Sequence, residues 1–265
     1  MKKLQQKSLL CLVLNVLIYQ SIFAQTNLSK KNHLGLSIGM SNYHSKDLML
    51  SPLIYRGNNF SIDLSYLHKR EKALHTVELS FAIGDINSNV SYHTQTGLRG
   101  HIWYGYSRQL TTFSLNDTAI PIFFGGLLKL FADGASAQDF ENYTSIFVYS
   151  LNINLGTQYT INLRHSLYWD VHFPALSYVI RPPYAGFDEE TRENRDKPLK
   201  VLTTNGEFRA ANDYFMMFTR FVYIYRLTRK FDLKAKYQFS YHQYAQPREV
   251  KKFSNLFSAG LIFKF

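Results

Sequence analysis

Cysteine is nearly missing from this sequence: Cys11 stands alone, so no disulfide or thiolate metal site can form within the chain. Long apolar runs are missing too, apart from one near the start, and the mean hydropathy of −0.20 lies far below that of a helical membrane protein. Charge is scarce at 18% of residues, and a chain that is 46% hydrophobic is too apolar for disorder. Metal signatures, phosphate loops and dinucleotide motifs do not occur, so neither a metal nor a cofactor is expected. No basic patch interleaves with aromatics in a nucleic-acid pattern. What is abundant is aromatic: 21 Phe and 19 Tyr favour β-structure with one wet and one apolar face.

The first segment has the layout of a secretory signal. Lys2, Lys3 and Lys7 precede an apolar run from Leu9 to Ile18, and Ser21-Ile22-Phe23-Ala24 precedes Gln25. Asn15 and Gln20 interrupt a stretch shorter than the roughly 20 residues that a membrane-spanning helix needs. Cleavage between Ala24 and Gln25 is expected, which divides the chain into a signal at 1–24 and one domain at 25–265. Cys11 leaves with the signal. The remainder stays basic, and in an exported protein that balance points to anionic lipid heads or polysaccharide rather than to nucleic acid.

From residue 33 onward apolar residues recur at every second position, and a 3.6-residue period is almost absent. Leu34, Leu36, Ile38 and Met40 are one such run; Val77, Leu79, Phe81 and Ile83 are another; Leu167, Trp169, Val171 and Phe173 are a third. The pattern predicts ten strands at 33–41, 59–68, 74–84, 97–108, 119–131, 145–156, 165–180, 212–227, 231–244 and 253–265. The connections at 42–58, 85–96, 132–144, 181–211 and 245–252 then alternate with generally shorter ones at 69–73, 109–118, 157–164 and 228–230. A transmembrane barrel has this asymmetry, with longer external loops, short periplasmic turns and an even strand count. The expected fold is therefore all-β, a single antiparallel up-and-down transmembrane β-barrel of about ten strands with both termini on the periplasmic side.

Residues 25–265 resemble the outer-membrane β-barrel proteins of Gram-negative bacteria. The last strand carries the resemblance furthest: Phe257, Leu261 and Phe263 alternate toward a final aromatic, Phe265, like the terminal strand that this family presents to its assembly machinery. The resemblance implies residence in the bacterial outer membrane, with outer-membrane lipid and that machinery as partners. Ten strands is also the number found in the omptin proteases, but their acidic pair and Asp-His pair at the rim have no match here.

A lipid-facing Lys or Arg near the midplane costs about 2–4 kcal/mol, so the polar parity should face inward. That places Asp63, Glu78, Arg99, His101, Lys129, Asn152, Asn154, Asp170, His172, Arg220, Lys234 and Lys236 in the lumen. Trp103, Phe123, Leu127, Phe218 and Ile224 share that parity and would help to fill it. A mostly closed interior held by ion pairs follows, with an anion-selective path along Arg99, Arg220, Lys234 and Lys236 as the sharper alternative. Tyr66, Tyr104, Tyr106, Tyr223, Tyr225, Phe263 and Phe265 form one expected interfacial girdle; Phe60, Tyr214, Phe215, Tyr241 and Tyr244 form the other.

Catalytic residues are sought at the external rim, where a lipid hydrolase would need a His beside a hydroxyl or water, oriented by a carboxylate. His101, Asp170 and His172 are the candidates, with Ser177, Ser240 and His242 near them; His165-Ser166 lies by a periplasmic turn. Pro174 and Pro182-Pro183 are expected to bend the seventh strand over the mouth, and the mixed-charge loop from Arg181 to Ala211 lacks the spaced oxygens of a calcium site. The leading expectation is a noncatalytic structural or interaction component of the envelope, partnered with another envelope protein as a subunit of a transport or secretion assembly. A rim lipid hydrolase and a narrow solute channel are the alternatives.

Overall fold

A computed structural model describes residues 31–90, 94–115, 118–137, 143–181 and 206–265. The signal segment, the Ala24/Gln25 junction and most of the long loop after Arg181 lie outside these residues. The elements are β1 (Asn32–Asp47), β2 (Ser51–Lys69), β3 (Ala73–Ser88), β4 (Thr94–Leu115), β5 (Thr118–Ala137), β6 (Tyr143–Thr160), β7 (His165–Ile180), β8 (Gly206–Ala210), β9 (Tyr214–Arg226), β10 (Phe231–Tyr244) and β11 (Val250–Lys264). Except for β8 and β9, neighbours in sequence pair antiparallel, and β1 closes on β11 from His33 opposite Lys264 to Asp47 opposite Val250. β8 and β9 share one place in the barrel, β8 beside Leu176–Ile180 and β9 beside His165–His172 of β7. The result is a closed, up-and-down barrel of ten positions, in which each long strand is paired on both sides.

All ten expected strands are present, but several run further than expected. A spanning strand needs roughly 9–11 residues, whereas β1 has 16 and β4 has 22. The stretch at 42–58 is no loop. Pairing continues through Tyr43 opposite Gly57 and Ser45 opposite Tyr55, and only Leu48–Leu50 turns. The stretches at 85–96 and 132–144 likewise supply strand residues at both ends, and 245–252 supplies them from Val250 onward. The physical reason is that the outer face becomes polar where it leaves the lipid, as with Asn42, His44 and Lys46, while backbone pairing has no cause to stop there.

The two faces divide as the parity rule requires. Leu36, Ile38, Met40, Phe60, Leu79, Leu128, Phe221 and Phe257 are exposed on the outside, where only lipid could accept so large an apolar belt. Asp63, Glu78, Lys129, Asn152, Asn154, Asp170, His172, Arg220, Lys234 and Lys236 are buried inside. Gly39 and Gly260 face each other's strands at the closing seam, where a Cβ on either would collide with the partner's backbone carbonyl or Cα.

Pro174 does not fold β7 over the mouth. The register shifts there, because Asn152 faces Pro174 while Leu151 faces Leu176, leaving Ala175 as the extra residue of a bulge. A one-residue insertion reverses parity beyond it. Asp170, His172 and Pro174 point inward below the bulge, and Ser177, Val179 and Arg181 point inward above it.

Candidate functional site

Among the described residues, ionisable groups gather away from solvent in the lumen, and its side chains lie in tiers. Its lower end, the terminal end of the described barrel, is the one where Asn32 meets Phe265. The central tier is built on Arg220 of β9. The guanidinium donates to Asp170 of the adjacent β7 through Nε at 3.2 Å and Nη2 at 2.5 Å, and to Glu78 of β3 through Nη1 at 2.5 Å. Lys236 of β10 sits 2.7 Å from Asp63 of β2 and 3.5 Å from Glu78. The pairs cross the lumen and tie opposite walls together. Arg220 also lies 5.1 Å over the Trp103 ring, and Lys129 lies 4.2 Å over Phe218. Such cation–π contacts are strongest when desolvated.

A second ionic tier lies above. Lys252 of β11 donates to Asp133 of β5 at 2.5 Å, and the Tyr43 hydroxyl donates to the same carboxylate at 3.0 Å. Arg99 stacks 3.9 Å over Tyr43 and donates to Ser41 at 3.0 Å. Around this tier and above it the lumen is packed apolar by Phe131, Ile146, Val148, Val179, Tyr214, Met216, Tyr244 and Val250. Tyr43, Tyr55 and Ile86 form a second cluster with Leu53 against it. Near the upper rim Arg181 donates to Asp47 at 2.6 Å and to the Arg248 carbonyl at 2.8 Å, drawing β7, β1 and the β10–β11 turn together.

Two residues assigned to the outer girdle belong to this packing instead. Tyr214 is fully buried and Tyr244 nearly so, because Tyr214 shares the parity of Met216, Phe218 and Arg220, and Tyr244 that of His242. Phe215 and Tyr241 do stay outside, with ring centroids 6.1 Å apart. Asp133, Lys252, Tyr43 and Asp47 went unnoticed as lumen groups because they fall in stretches expected to be loops. The usable signal was inner-face alternation, Tyr43-Ser45-Asp47 and Val250-Lys252-Ser254, continuing past the apolar outer residues.

The rim candidates are not at the rim. His172 lies midway along β7, opposite Phe218, with Ile180 a further eight residues along. Its ring stacks on Phe218 at 5.2 Å and meets Trp103 edge-on at 5.5 Å. Nε2 is 3.5 Å from Asp170, and among the described residues neither ring nitrogen of His172 has a shorter polar contact. His101 contacts Glu78, also at 3.5 Å, and meets Phe218 edge-on. The two histidines thus flank one phenylalanine, while Asp170 is engaged by Arg220. Of the four cations proposed for an anion path, Arg220 and Lys236 are ion-paired, Arg99 is stacked on Tyr43, and Lys234 contacts only the Ser65 hydroxyl, at 3.4 Å. Phe257, Leu261, Phe263 and Phe265 line the lipid side of the closing strand and its end, with Phe265 bonded to Asn32 in both directions.

No protein-family model matches this chain, and no curated protein matches it. Solved structures do. The outer-membrane protease OmpT of Escherichia coli superposes with a TM-score of 0.53 at 9% identity, over 91% of this chain and all of that one. The fold is that of an outer-membrane β-barrel. The translocator domain of the autotransporter NalP from Neisseria meningitidis matches at 8% identity and a TM-score of 0.42, over 98% of each chain. Ail of Yersinia pestis matches at 11% identity and 0.34, over 88% of this chain and 99% of that one. Identity at this level carries the architecture alone.

Below the central tier the lumen opens into a cup of about 180 Å³. Trp103, Tyr168, Glu78, Arg220 and Lys234 line its deeper part, Leu74, Val222, Ile224 and Ile262 its walls, and Lys69, Arg226, Asp232 and Lys264 the end nearest the termini. Lys264 pairs with Asp232 at 2.6 Å. Lys69 and Lys234 have no carboxylate within 4 Å among the described residues; Lys69 meets only the Gln158 amide oxygen, at 3.4 Å.

Proposed function

We propose that this protein is an integral outer-membrane barrel without a catalytic centre, acting as a structural or interaction component of the envelope. One observation carries the reading: the lumen is crossed by the Arg220 and Lys252 tiers and packed by the apolar cluster around Tyr214, so the working surfaces are the two ends and the lipid face. A diffusion pore requires a wet path through those tiers. A hydrolase requires a hydrogen-bonded base beside a nucleophile at the lipid surface, and a His172 packed mid-barrel between Phe218 and Trp103 does not favour it.

The test is gentle detergent extraction from outer membranes, followed by native sizing with mass spectrometry of what travels with the barrel, and by conductance in planar bilayers. A stoichiometric envelope partner and a silent bilayer are the expected results. Discrete conductance steps would replace this reading with a channel. Lipid turnover that disappears in a folded His172→Ala variant would replace it with a hydrolase.

A further inference from the structure

We propose that the cup at the terminal end of the lumen binds a small amphipathic carboxylate, with an apolar body about the size of one amino-acid residue. The argument starts from charge. Below the apolar packing, the carboxylates of Asp63, Glu78, Asp170 and Asp232 face Lys69, Lys129, Arg220, Arg226, Lys234, Lys236 and Lys264. Cations are in excess, and the excess is not spread evenly. Arg220, Lys236 and Lys264 are in ion pairs. Lys129 is held over the Phe218 ring. Lys69 and Lys234 both line the cup, and among the described residues each contacts only a neutral oxygen at 3.4 Å.

A buried ammonium without an anion is unfavourable, and Lys234 is only 7% exposed. A second, independent observation points to the same missing acceptor. The Trp103 indole also lines the cup, is buried, and its Nε1 donor has no hydrogen-bond partner. Two ammonium groups that meet only neutral oxygens, beside an indole N–H that meets no acceptor among the described residues, border one cavity. A carboxylate offers two oxygens and a negative charge, and charge-assisted hydrogen bonds of this kind are the strong ones.

The walls decide what else the ligand must be. Leu74, Val222, Ile224 and Ile262 give the cup an apolar lining that a bare inorganic anion would leave unused. Its volume is well below the several hundred Å³ of a drug-sized pocket, so a six-carbon acid or a single terminal residue fits and a long acyl chain does not. Entry is from the terminal end, because the Arg220 tier closes the other side.

The experiment uses the full barrel in detergent. The sequence has two Trp, and Trp169 does not line the cup but stacks on the outward-facing Phe221 and donates to Thr219. A Trp169→Phe background therefore leaves Trp103 as the reporter. Hexanoate should change its emission saturably, and neutral hexanamide should bind about ten-fold more weakly or worse, the loss expected for one charge-assisted contact. Lys234→Met and Lys69→Met should each weaken hexanoate by a similar factor, with folding confirmed by heat-dependent gel migration. Lys69 lies at the open end, so its variant serves if Lys234→Met fails to fold. No saturable response to hexanoate, equal binding of hexanamide, equal binding of inorganic phosphate, or unchanged binding by a folded lysine variant would each overturn the proposal. A pentapeptide ending in a free Leu carboxylate separates the sources: tighter binding than hexanoate marks a chain terminus as the ligand, and weaker binding marks a free acid.

Discussion

The two ends of the lumen solve the same problem differently. Toward the upper end, Tyr214, Tyr244, Met216 and Val250 pack against Phe131, Ile146, Val148 and Val179, and the Asp133–Lys252 pair with Tyr43 satisfies the charge buried there. At the lower end the same strands leave a cavity of about 180 Å³, and two of its three lysines, Lys69 and Lys234, meet only neutral oxygens among the described residues. Both ends are built from one alternating strand pattern, so the difference lies in side chains and not in backbone. A barrel of this size is nearly filled by its own interior; the larger empty volume at the lower end is a local choice of side chains, which makes it the informative end.

The largest effect should come from emptying the packed end. Tyr214→Ala combined with Tyr244→Ala removes two buried aromatics, at about 3 kcal/mol or more each. Leu74→Ala with Ile224→Ala, made at the cup, should cost less, about 2 kcal/mol each, because those side chains already border open space. Urea unfolding in lipid bilayers measures both. Equal losses would mean that the upper end is no better packed than the lower, and the contrast between them would fall.

Next in size is Arg220→Met, which sharpens the boundary between the two ends. It leaves Asp170 buried without its arginine and Glu78 with Lys236 alone, and breaking such a pair costs about 3–5 kcal/mol. The same unfolding measurement should show a loss of that order. A small loss would mean that the central tier is hydrated from below, so that the cup extends through it.

Much of this was legible in the sequence, and the reasons for what was not are physical. The ten strands, and the inward parity of groups such as Asp63, Glu78, Lys129, Asp170, Arg220 and Lys236, follow from a period of two and the penalty for charge in lipid. Tyr43, Asp47, Asp133 and Lys252 escaped because strand ends were sought where outer-face hydrophobicity stops, which marks the edge of the lipid and not the end of pairing. Tyr214 and Tyr244 were given to a girdle because an aromatic near a strand end satisfies the interface and the lumen equally well; only parity separates them. Ser177 turns inward through a bulge at Ala175 that no local motif announces beyond the neighbouring Pro174. The cup's existence depends on volumes across the barrel, which one strand at a time does not contain.

Arg181→Ala should give a smaller effect, about 1–3 kcal/mol, by removing a charged hydrogen bond to Asp47 at the upper rim. Asp47 is buried but lies at the end of β1, where water can reach it once the guanidinium is gone. Its backbone neighbours keep their own partners, Leu48 N–H donating to the Glu249 carbonyl. A loss as large as that of Arg220→Met would show that the rim is as dry as the centre, extending the packed region to the top of the barrel.

The smallest effect is expected on the outside. Lys251 lies 2.7 Å from Glu249, the same distance as Lys236 from Asp63, yet both members are well exposed where Lys236 and Asp63 are fully enclosed. Solvent screens an exposed pair and its long side chains lose rotamer freedom, so the net gain is close to nothing. Glu249→Gln should leave the unfolding midpoint where it was, while Asp63→Asn, at equal separation, should lower it clearly by leaving Lys236 with Glu78 alone. If the two variants shifted the midpoint alike, pair geometry rather than burial would set the worth of these contacts. The tiers would then lose their claim to close the lumen, since charges that cheap to separate would let water and ions between them.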